Sequence, residues 1–356
     1  MKSVLIAHQS AIPHYRVPFY NTLERIRPDD WRFDVVSDQS WESSKQFYKD
    51  AVPAQEFEFP VVEVRSRQVK VQGKQITYQP FWLKAAGYDL IIVEHALNNL
   101  IYPLCQIHQL GKSKFAYWGH GRDRSAPDPA PLKLLSEWIK KVLARSADGY
   151  FAYTPGVKKC LIQQGLSPEK VFTVNNTIDI REQRKAYQQL KAMRDDFRKE
   201  RDLESQTVLL FVGRFTVLKR IDFLLQAMDY LNEMRGDFHL LIVGDGPAVD
   251  RSQRRSNVSF LGPILDLDEL APLYTASDLF VYPGAVGLAP LQALCYDLPV
   301  LWIEADNHKP EVEYLTKKNS LMLEGDIDPE GYARAVLASS QDQKRIDSLR
   351  DGIWGS

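Results

Sequence analysis

The fold of this chain is decided by the stretch Asp278-Leu-Phe-Val-Tyr-Pro-Gly-Ala-Val-Gly-Leu-Ala-Pro-Leu-Gln-Ala-Leu-Cys-Tyr-Asp-Leu-Pro-Val-Leu-Trp302. It carries no charge over 18 residues, 279 to 296, and that length is the lower limit for a helix that spans a membrane. Prolines and glycines interrupt the run, however, and favour another interpretation. We predict a buried strand over Leu279–Tyr282, a tight loop, a helix that begins near Ala289 and a second strand from Val300. This order of elements is typical of a parallel α/β sheet.

The loop inside this stretch has features of an anion site. Gly284 and Gly287 let a ligand approach the backbone closely. The N–H groups of Gly287, Leu288 and Ala289 precede or open the predicted helix, and phosphate is the usual ligand at such a position. An ordinary strand–loop–helix unit of an α/β core explains the local pattern equally well.

Charge is divided unevenly along the 356 residues. Residues 1–200 hold 30 Lys and Arg against 22 Asp and Glu, whereas residues 201–356 hold 15 against 24. The basic half favours an anionic partner such as an anionic membrane surface, although solvated surface charge is an equally good explanation. The sequence contains no nucleic-acid-binding motif, and we expect no nucleic-acid partner.

Cysteine usage and the amino-terminal residues favour a cytoplasmic protein. The three cysteines, Cys105, Cys160 and Cys295, lie far apart and in no metal-binding or redox spacing, which indicates a reducing compartment. The apolar run Val4–Ala7 is too short for a signal peptide, and no segment is predicted to cross a membrane. We therefore expect a cytoplasmic protein, with a peripheral position on the cytoplasmic face of the membrane as an extension of this prediction.

Strand and helix patterns alternate along most of the chain. Continuous apolar runs such as Asp89–Val93 and Lys114–Trp118 in the first half, and Val208–Val212 and His239–Val243 in the second, predict buried parallel strands. The charge-dense segment 183–205 separates the halves. The sequence thus predicts an α/β protein with a domain over 1–182, a charged linker over 183–205 and a domain over 206–356, each a doubly wound sheet.

An amphipathic helix is predicted over Pro131–Ala144, with apolar residues at Leu132, Leu135, Trp138, Ile139 and Val142. We expect its apolar stripe to be buried in the fold, because the helix resembles one that a known two-domain family packs between two strands. Attraction to an anionic membrane would then be electrostatic, and roughly a few hundred millimolar NaCl would release it.

Three motifs follow predicted strands. Gly213-Arg-Phe-Thr-Val-Leu-Lys219 supplies two cations directly after a strand, which could bind an anionic ligand or could be surface charges near a helix. Val243-Gly-Asp-Gly-Pro247 lacks the third glycine of a dinucleotide loop and is a weak signal. Trp118-Gly-His-Gly-Arg122 places His120 at the carboxyl edge of the first sheet, where ligands bind, although a structural histidine is the alternative.

These motifs resemble those of the family 4 retaining glycosyltransferases. Gly287-Leu-Ala-Pro-Leu-Gln-Ala293 resembles the family's Gly-Leu-x-x-Leu-Glu-Ala, and the 213–219 motif matches its Gly-Arg-x-x-x-x-Lys. Pro13-His-Tyr-Arg-Val-Pro-Phe19 resembles an opening common in the family. The resemblance implies the GT-B fold, in which two Rossmann-like domains face each other across a cleft. The amino-terminal domain would bind the acceptor and the carboxyl-terminal domain the nucleotide sugar.

The resemblance also implies roles for individual residues. Arg214 and Lys219 would hold the donor diphosphate, and His120 would meet the donor sugar or its phosphate at the reaction centre. The implied donor-binding residues are Gly213, Gly244, Gly262, Gly284, Ala285, Val286, Gly287, Leu288 and Gln292. The implied acceptor-binding residues are Tyr15, Arg16 and Arg122.

The chain departs from the family at two positions. The family usually carries glutamates eight positions apart, where this chain has Gly284 and Gln292. Gln292 can still accept a hydrogen bond from a ribose hydroxyl, whereas Gly284 leaves only main-chain groups for the sugar. Glu311 matches a Pro-Glu element of the family, and we interpret it as a carboxylate that favours a helix N-terminus.

The predicted function is transfer of a sugar from a nucleotide-sugar donor to a glycan or polyprenyl-linked acceptor. The resemblance implies retention of configuration and a role in cell-surface polysaccharide synthesis of the O-antigen, capsule or lipopolysaccharide type. We expect no cofactor and no metal, since no Asp-x-Asp sequence occurs in a suitable setting. The alternatives are a nucleotide-sugar epimerase of GT-B fold and a catalytically inactive sugar-nucleotide-binding subunit.

Overall fold

The computed structural model describes residues 1–9, 11–38, 57–71, 74–121, 131–248 and 255–355. The chain forms two compact units, Met1–Asn176 and Thr177–Ser356. Each unit contains a parallel sheet with helices, so the predicted α/β class with two doubly wound sheets is confirmed. That the two domains face each other across a cleft stays a prediction.

The first unit contains strands β1 (Lys2–Ala7), β2 (Trp31–Asp38), β3 (Val61–Val64), β4 (Arg67–Val71), β5 (Lys74–Tyr78), β6 (Leu90–Glu94), β7 (Lys114–Gly119), β8 (Gly149–Ala152) and β9 (Val171–Thr173). Its helices are α1 (Val17–Ile26), α2 (Ile101–His108), α3 (Pro131–Ser146) and α4 (Pro155–Gln163). Seven strands form one parallel sheet in the order β3-β2-β1-β6-β7-β8-β9, and β4 pairs with β5 as an antiparallel hairpin.

Both faces of the first sheet are covered, which is why its strands are apolar runs rather than alternating patterns. Along β1, Leu5 and Ala7 belong to one buried cluster, whereas Val4 and Ile6 belong to another. Because successive side chains of a strand point to opposite faces, these clusters lie on opposite sides of the sheet. Residues of α2 and α3 join the first cluster, and Tyr20 of α1 joins the second.

The second unit contains strands β10 (Thr207–Val212), β11 (Phe238–Val243), β12 (Val258–Gly262), β13 (Leu279–Tyr282), β14 (Val300–Ile303) and β15 (Ser320–Leu323). Its helices are α5 (Ile180–Leu190), α6 (Arg194–Lys199), α7 (Ile221–Met234), α8 (Leu267–Ala276), α9 (Ala289–Cys295), α10 (Pro329–Gln341) and α11 (Gln343–Gly352). The six strands are parallel in the order β12-β11-β10-β13-β14-β15. The stretch 278–302 forms β13, α9 and β14, as predicted.

The charged segment predicted as a linker is largely helical, in α5 and α6. Arg184 pairs with Asp297 at 2.6 Å, and Arg194 and Arg198 pair with Asp278 at 2.5 and 3.0 Å. The arginines of this segment are therefore bound to the second unit, which begins at Thr177. The exact domain limits of 1–182 and 206–356 stay a prediction.

The prediction that the helix from Pro131 buries its apolar stripe is wrong. Leu135, Trp138 and Val142 are all exposed, whereas Ala144 is buried on the opposite side of α3. The helix is oriented by main-chain contacts, because His95 Nε2 lies 3.1 Å from the Lys140 carbonyl and the Gln106 side chain donates to the Leu143 carbonyl. These contacts hold Ala144 and Leu143 against the sheet and leave Leu135, Trp138 and Val142 exposed.

No helix in the described part of the chain is long and apolar enough to cross a membrane.

Candidate functional site

The second sheet changes direction between β10 and β13. From β10 the chain proceeds outward through β11 and β12, and then returns to the other side of β10 with β13. Loops that leave two strands at such a point diverge, and the crevice between them is where open α/β sheets bind ligands. The 213–219 motif follows β10 and the loop 283–288 follows β13, so both predicted donor loops flank this point.

Three of the predicted glycines meet through their main chains. The Gly213 N–H donates to the Val243 carbonyl at 3.0 Å, and the Gly244 N–H donates to the Gly262 carbonyl at 2.8 Å. A Cβ on Gly244 would lie 1.9 Å from the Gly213 carbonyl oxygen, so only glycine allows this approach. The N–H groups of Gly213 and Gly244 thus donate to carbonyls within the protein. A ligand at the carboxyl edge of the sheet would contact other main-chain atoms of these turns, and there is open space beside Gly262.

Lys219 connects the two loops. Its ammonium donates to the Ala285 carbonyl and lies 4.8 Å from the centroid of the Tyr282 ring. Burial lowers the pKa of Lys219 to about 8, and the carboxylate of Glu311 acts in the opposite direction. The cation therefore lies in a half-buried position between the loops, where an anionic ligand would strengthen its charged form. Arg214 is exposed at the turn that follows β10.

The loop after β13 is closely packed at its start and open at its end. The Ala285 N–H donates to the Leu218 carbonyl, and the Val286 N–H donates to Nδ1 of His308. A Cβ on Gly284 would lie 2.4 Å from the Leu218 carbonyl oxygen. Gly284, Ala285 and Val286 are accordingly buried, whereas Gly287 and Leu288 are half-buried and no atom lies within 4 Å of a Cβ placed on Gly287.

Gln292 takes part in a hydrogen-bond network inside the second unit. Its amide oxygen accepts from the Tyr274 hydroxyl at 3.2 Å, and its amide nitrogen donates to Gln183 at 3.1 Å. The Tyr296 hydroxyl also donates to Gln183. Gln292 therefore links α9 to α5, a role that the sequence did not indicate.

The first sheet changes direction in the same way between β1 and β6, and two residues that the sequence analysis missed meet there. Nδ1 of His8 donates to the Glu94 carboxylate at 3.1 Å, and Nε2 of His8 lies 2.6 Å from the Tyr20 hydroxyl. Burial alone would raise the pKa of Glu94, but the His8 hydrogen bond and the Arg16 charge lower it below its ordinary value. The signal available in the sequence was a titratable residue directly at the end of each apolar strand.

Predicted residues of the first unit lie around Arg16 and the Tyr153 ring. The Arg16 guanidinium is buried 4.8 Å from the Trp118 ring and 5.3 Å from the Tyr153 ring. The His120 ring lies edge-to-face with Tyr153 at 4.7 Å. Tyr15 also stacks near Arg16, at 5.4 Å. The structure thus brings Tyr15, Arg16 and His120 together, whereas Arg122 lies outside the described residues.

Within the described ranges, no group of three or more His, Cys, Asp and Glu side chains could hold a metal ion.

Residues 206–342 match the model of a family described as "Glycosyl transferases group 1". The chain is 27% identical over 168 residues to an uncharacterized 41.2 kDa protein in the cps region of Klebsiella pneumoniae, covering 46% of this chain and 45% of that protein. It is 31% identical over 103 residues to a GDP-mannose-dependent alpha-(1-6)-phosphatidylinositol dimannoside mannosyltransferase of Mycobacterium tuberculosis, covering 27% of each. The matches therefore span less than half of either relative.

A solved structure shows the same fold over nearly the whole chain. Anabaena HepE in complex with UDP superposes with a TM-score of 0.68 at 16% identity, over 99% of this chain and 93% of that one. Two Rossmann-like α/β units of this kind define the GT-B class of fold. The family match concerns residues 206–342 of the second unit, and the likeness to the solved structure, at 16% identity, shows the fold.

Proposed function

We propose that the chain is a glycosyltransferase that takes its sugar from a nucleotide-sugar donor bound by the second unit. The observation that carries this proposal is the position of Lys219, a half-buried cation held between the two loops that flank the switch point of the second sheet. Both loops lie within the segment that matches the group 1 glycosyltransferases.

The chemistry of the reaction explains why cations are needed there. When the glycosidic bond breaks, negative charge develops on the nucleoside diphosphate, and fixed positive groups stabilise it without reorganisation. Lys219 would act as a point charge and Arg214 as a two-pronged donor to phosphate oxygens. In our proposal the reaction retains the configuration of the sugar by a front-face displacement assisted by the leaving phosphate. It uses no metal or other cofactor.

The first unit would bind the acceptor. Glu94 lies at the switch point of its sheet, and the buried Arg16 guanidinium and the His120 imidazole lie against the same Tyr153 ring nearby. This set suits a hydroxyl-bearing glycan, including one linked through phosphate to a polyprenyl carrier. The Klebsiella relative in a cps region supports a role in cell-surface polysaccharide synthesis, and we place the enzyme in the cytoplasm.

A donor screen tests the proposal. UDP-sugars and GDP-sugars are added singly and the melting temperature is recorded, because a ligand at about 100 times its Kd adds about 2.7 kcal/mol of stability. We expect one nucleotide class to raise the melting temperature. That donor is then incubated with polyprenyl-linked acceptors, and the anomeric configuration of the product is determined by NMR. Failure of every nucleotide sugar and nucleoside diphosphate to stabilise the protein would contradict the proposal.

A nucleotide-sugar epimerase is the second candidate, and the His8–Glu94 pair favours it. Epimerases of this fold need carboxylate acid–base groups, and Glu94 is such a group at the switch point of the first sheet. Incubation of the donor without acceptor distinguishes the two: an epimerase inverts a ring carbon of the sugar, whereas a transferase leaves the intact donor unchanged at every carbon. If the nucleotide sugar binds but neither an epimerised donor nor a glycosylated acceptor is formed, the chain is a catalytically inactive sugar-nucleotide-binding subunit.

A further inference from the structure

Helix α3 presents a continuous apolar stripe to solvent. Leu134, Leu135, Trp138 and Val142 expose 65, 52, 62 and 42% of their surface. At 3.6 residues per turn these four side chains fall within about 100° of arc. The opposite side of the helix carries the buried Ala144. This apolar stripe of α3 thus faces solvent, whereas the apolar stripe of an ordinary surface helix faces the core.

Helix α2 adds a second stripe beside the first. Leu104 and Ile107 expose 58 and 61% of their surface. The two helices are neighbours, since the Gln106 side chain donates to the Leu143 carbonyl and to the Ser146 hydroxyl. Both helices also pack on the same cluster of the first sheet. We call the six residues Leu104, Ile107, Leu134, Leu135, Trp138 and Val142 the outer apolar face.

The charges around the outer apolar face are mainly positive. Residues 95–113 contain no Asp or Glu, and residues 131–147 contain only Glu137. Glu137 is itself paired with Lys140 at 2.8 Å. Lys112, Lys141 and Arg145 lie on the same two helices or directly after them. A partner that covers this face must therefore accept apolar side chains and supply negative charge.

We propose that the outer apolar face inserts into the interface of an anionic lipid membrane. A helix with apolar residues on one side and basic residues beside them lies in the plane of the interface, with its apolar side among the acyl chains. Trp138 suits this position, because tryptophan is enriched at the boundary between head groups and hydrocarbon. A second copy of the chain fits less well, because a symmetric dimer through this face would bring like charges together.

This proposal does not depend on the identity of the donor. It changes the earlier expectation, under which charge alone would attract the protein to a membrane and salt would release it. Apolar insertion is not screened by salt, whereas the attraction of the basic residues is. Part of the binding should consequently persist at high ionic strength.

The test is sedimentation of the full chain with vesicles of phosphatidylglycerol and phosphatidylcholine in about equal amounts, and with vesicles of phosphatidylcholine alone. We expect binding to the anionic vesicles at low salt. We also expect a substantial bound fraction at about 0.5 M NaCl, where the Debye length is roughly 4 Å.

Variants separate the apolar from the charged contribution. The double variant Leu135→Gln and Trp138→Gln should lose the salt-resistant fraction and weaken binding at least about tenfold, because burial of these side chains contributes through area. A second pair, Leu104→Gln and Ile107→Gln, tests the same face through α2.

Lys141→Gln tests the charged contribution and should weaken binding only at low salt. Ile26→Gln is the matched control, because Ile26 is 71% exposed but belongs to α1, on the other side of the sheet.

The melting temperature, and its rise with the nucleotide that the donor screen identifies, should be the same for all variants, since every substituted residue is outside the proposed donor site. Equal binding to anionic and neutral vesicles would overturn the proposal, as would unchanged binding by both apolar pairs. Self-association that the apolar pairs remove would also overturn it, because a second copy of the chain would then be the occupant.

Discussion

Gly284 stands where the resembled family has a glutamate, and the structure shows why a side chain does not fit there. A Cβ at this position would lie 2.4 Å from the Leu218 carbonyl and 2.6 Å from Cα of Lys219. The loop after β10 thus occupies the space that a glutamate would need. Glycine at this position is therefore required by the close approach of the two loops.

Gly284→Ala should therefore destabilise the protein by about 1–3 kcal/mol, because the contacting atoms are main chain and cannot rotate away. Urea unfolding measures the difference. Gly287→Ala is the matched control in the same loop, where no atom lies within 4 Å of the added Cβ. Equal stability of the two variants would show that the 217–219 turn moves freely.

Arg214→Ala and Lys219→Ala should each reduce turnover by roughly 10² to 10³, as expected for groups that stabilise charge in a transition state. Steady-state kinetics with the donor found by the screen measures the effect. Lys344→Ala, an exposed lysine on α11, is the control and should leave turnover unchanged. Near-normal turnover in either site variant would remove that residue from the diphosphate site.

The pKa of Lys219 predicts a pH dependence of nucleotide binding. Burial lowers this pKa to about 8, so Lys219 loses its positive charge as the pH rises through that value. Affinity for UDP or GDP should be constant below this point and should fall above it, by at most about tenfold per pH unit from this group. Lys219→Arg should abolish the fall, because guanidinium stays protonated. Calorimetric titrations at about pH 7 and pH 9 decide between these outcomes.

At the scale of elements, ion pairs attach α5 and α6 to the rest of the second unit. Asp278, at the start of β13, accepts from Arg194 and Arg198 and from the Val208 main chain. One carboxylate thus joins α6, β10 and β13. The dense charge that indicated a linker in the sequence reflects these partners.

Asp278→Ala should lower the free energy of unfolding by about 1–3 kcal/mol, because two partly buried guanidinium groups lose their carboxylate partner and the Val208 N–H loses its side-chain acceptor. This loss of stability is smaller than the loss expected for a fully buried ion pair, since the Asp278 side chain is 30% exposed. Glu330→Ala removes an exposed pair with Arg334 within α10 and should cost only about 0.5 kcal/mol or less. Urea unfolding of both variants gives the comparison. A loss as small as that of the control would mean that α6 is held by other contacts.

At the scale of the whole molecule, the proposed donor site relies on protein cations. Activity should accordingly survive EDTA, because Lys219 and Arg214 supply the positive charge that a divalent ion supplies elsewhere. The measurement is turnover before and after chelation, with Mn²⁺ and Mg²⁺ added back. Complete loss that either ion restores would mean that the diphosphate is held through a metal.

The sequence by itself determined the α/β class, most of the strands of the two parallel sheets and the loops that flank the second switch point. Leu279–Tyr282 and Thr207–Val212 were predictable because a strand buried on both faces of a parallel sheet must be a continuous apolar run. Glycines directly after such strands indicated the turns at the edge of the sheet, because only glycine permits two main chains to approach as closely as those of Gly213 and Gly244 do.

Only the tertiary structure decided the rest, because it depends on contacts between residues far apart in the chain. His8 and Glu94 are 86 positions apart and meet because β1 pairs with β6 rather than with the next strand alone. The periodicity of α3 revealed an apolar stripe, but the bonds from His95 and Gln106 determined that the stripe faces outward. Gln292 matched a ligand-binding position in the motif, yet its amide partners come from α5 and α8. A pattern along the chain shows which side chains share a face, whereas packing decides what that face meets.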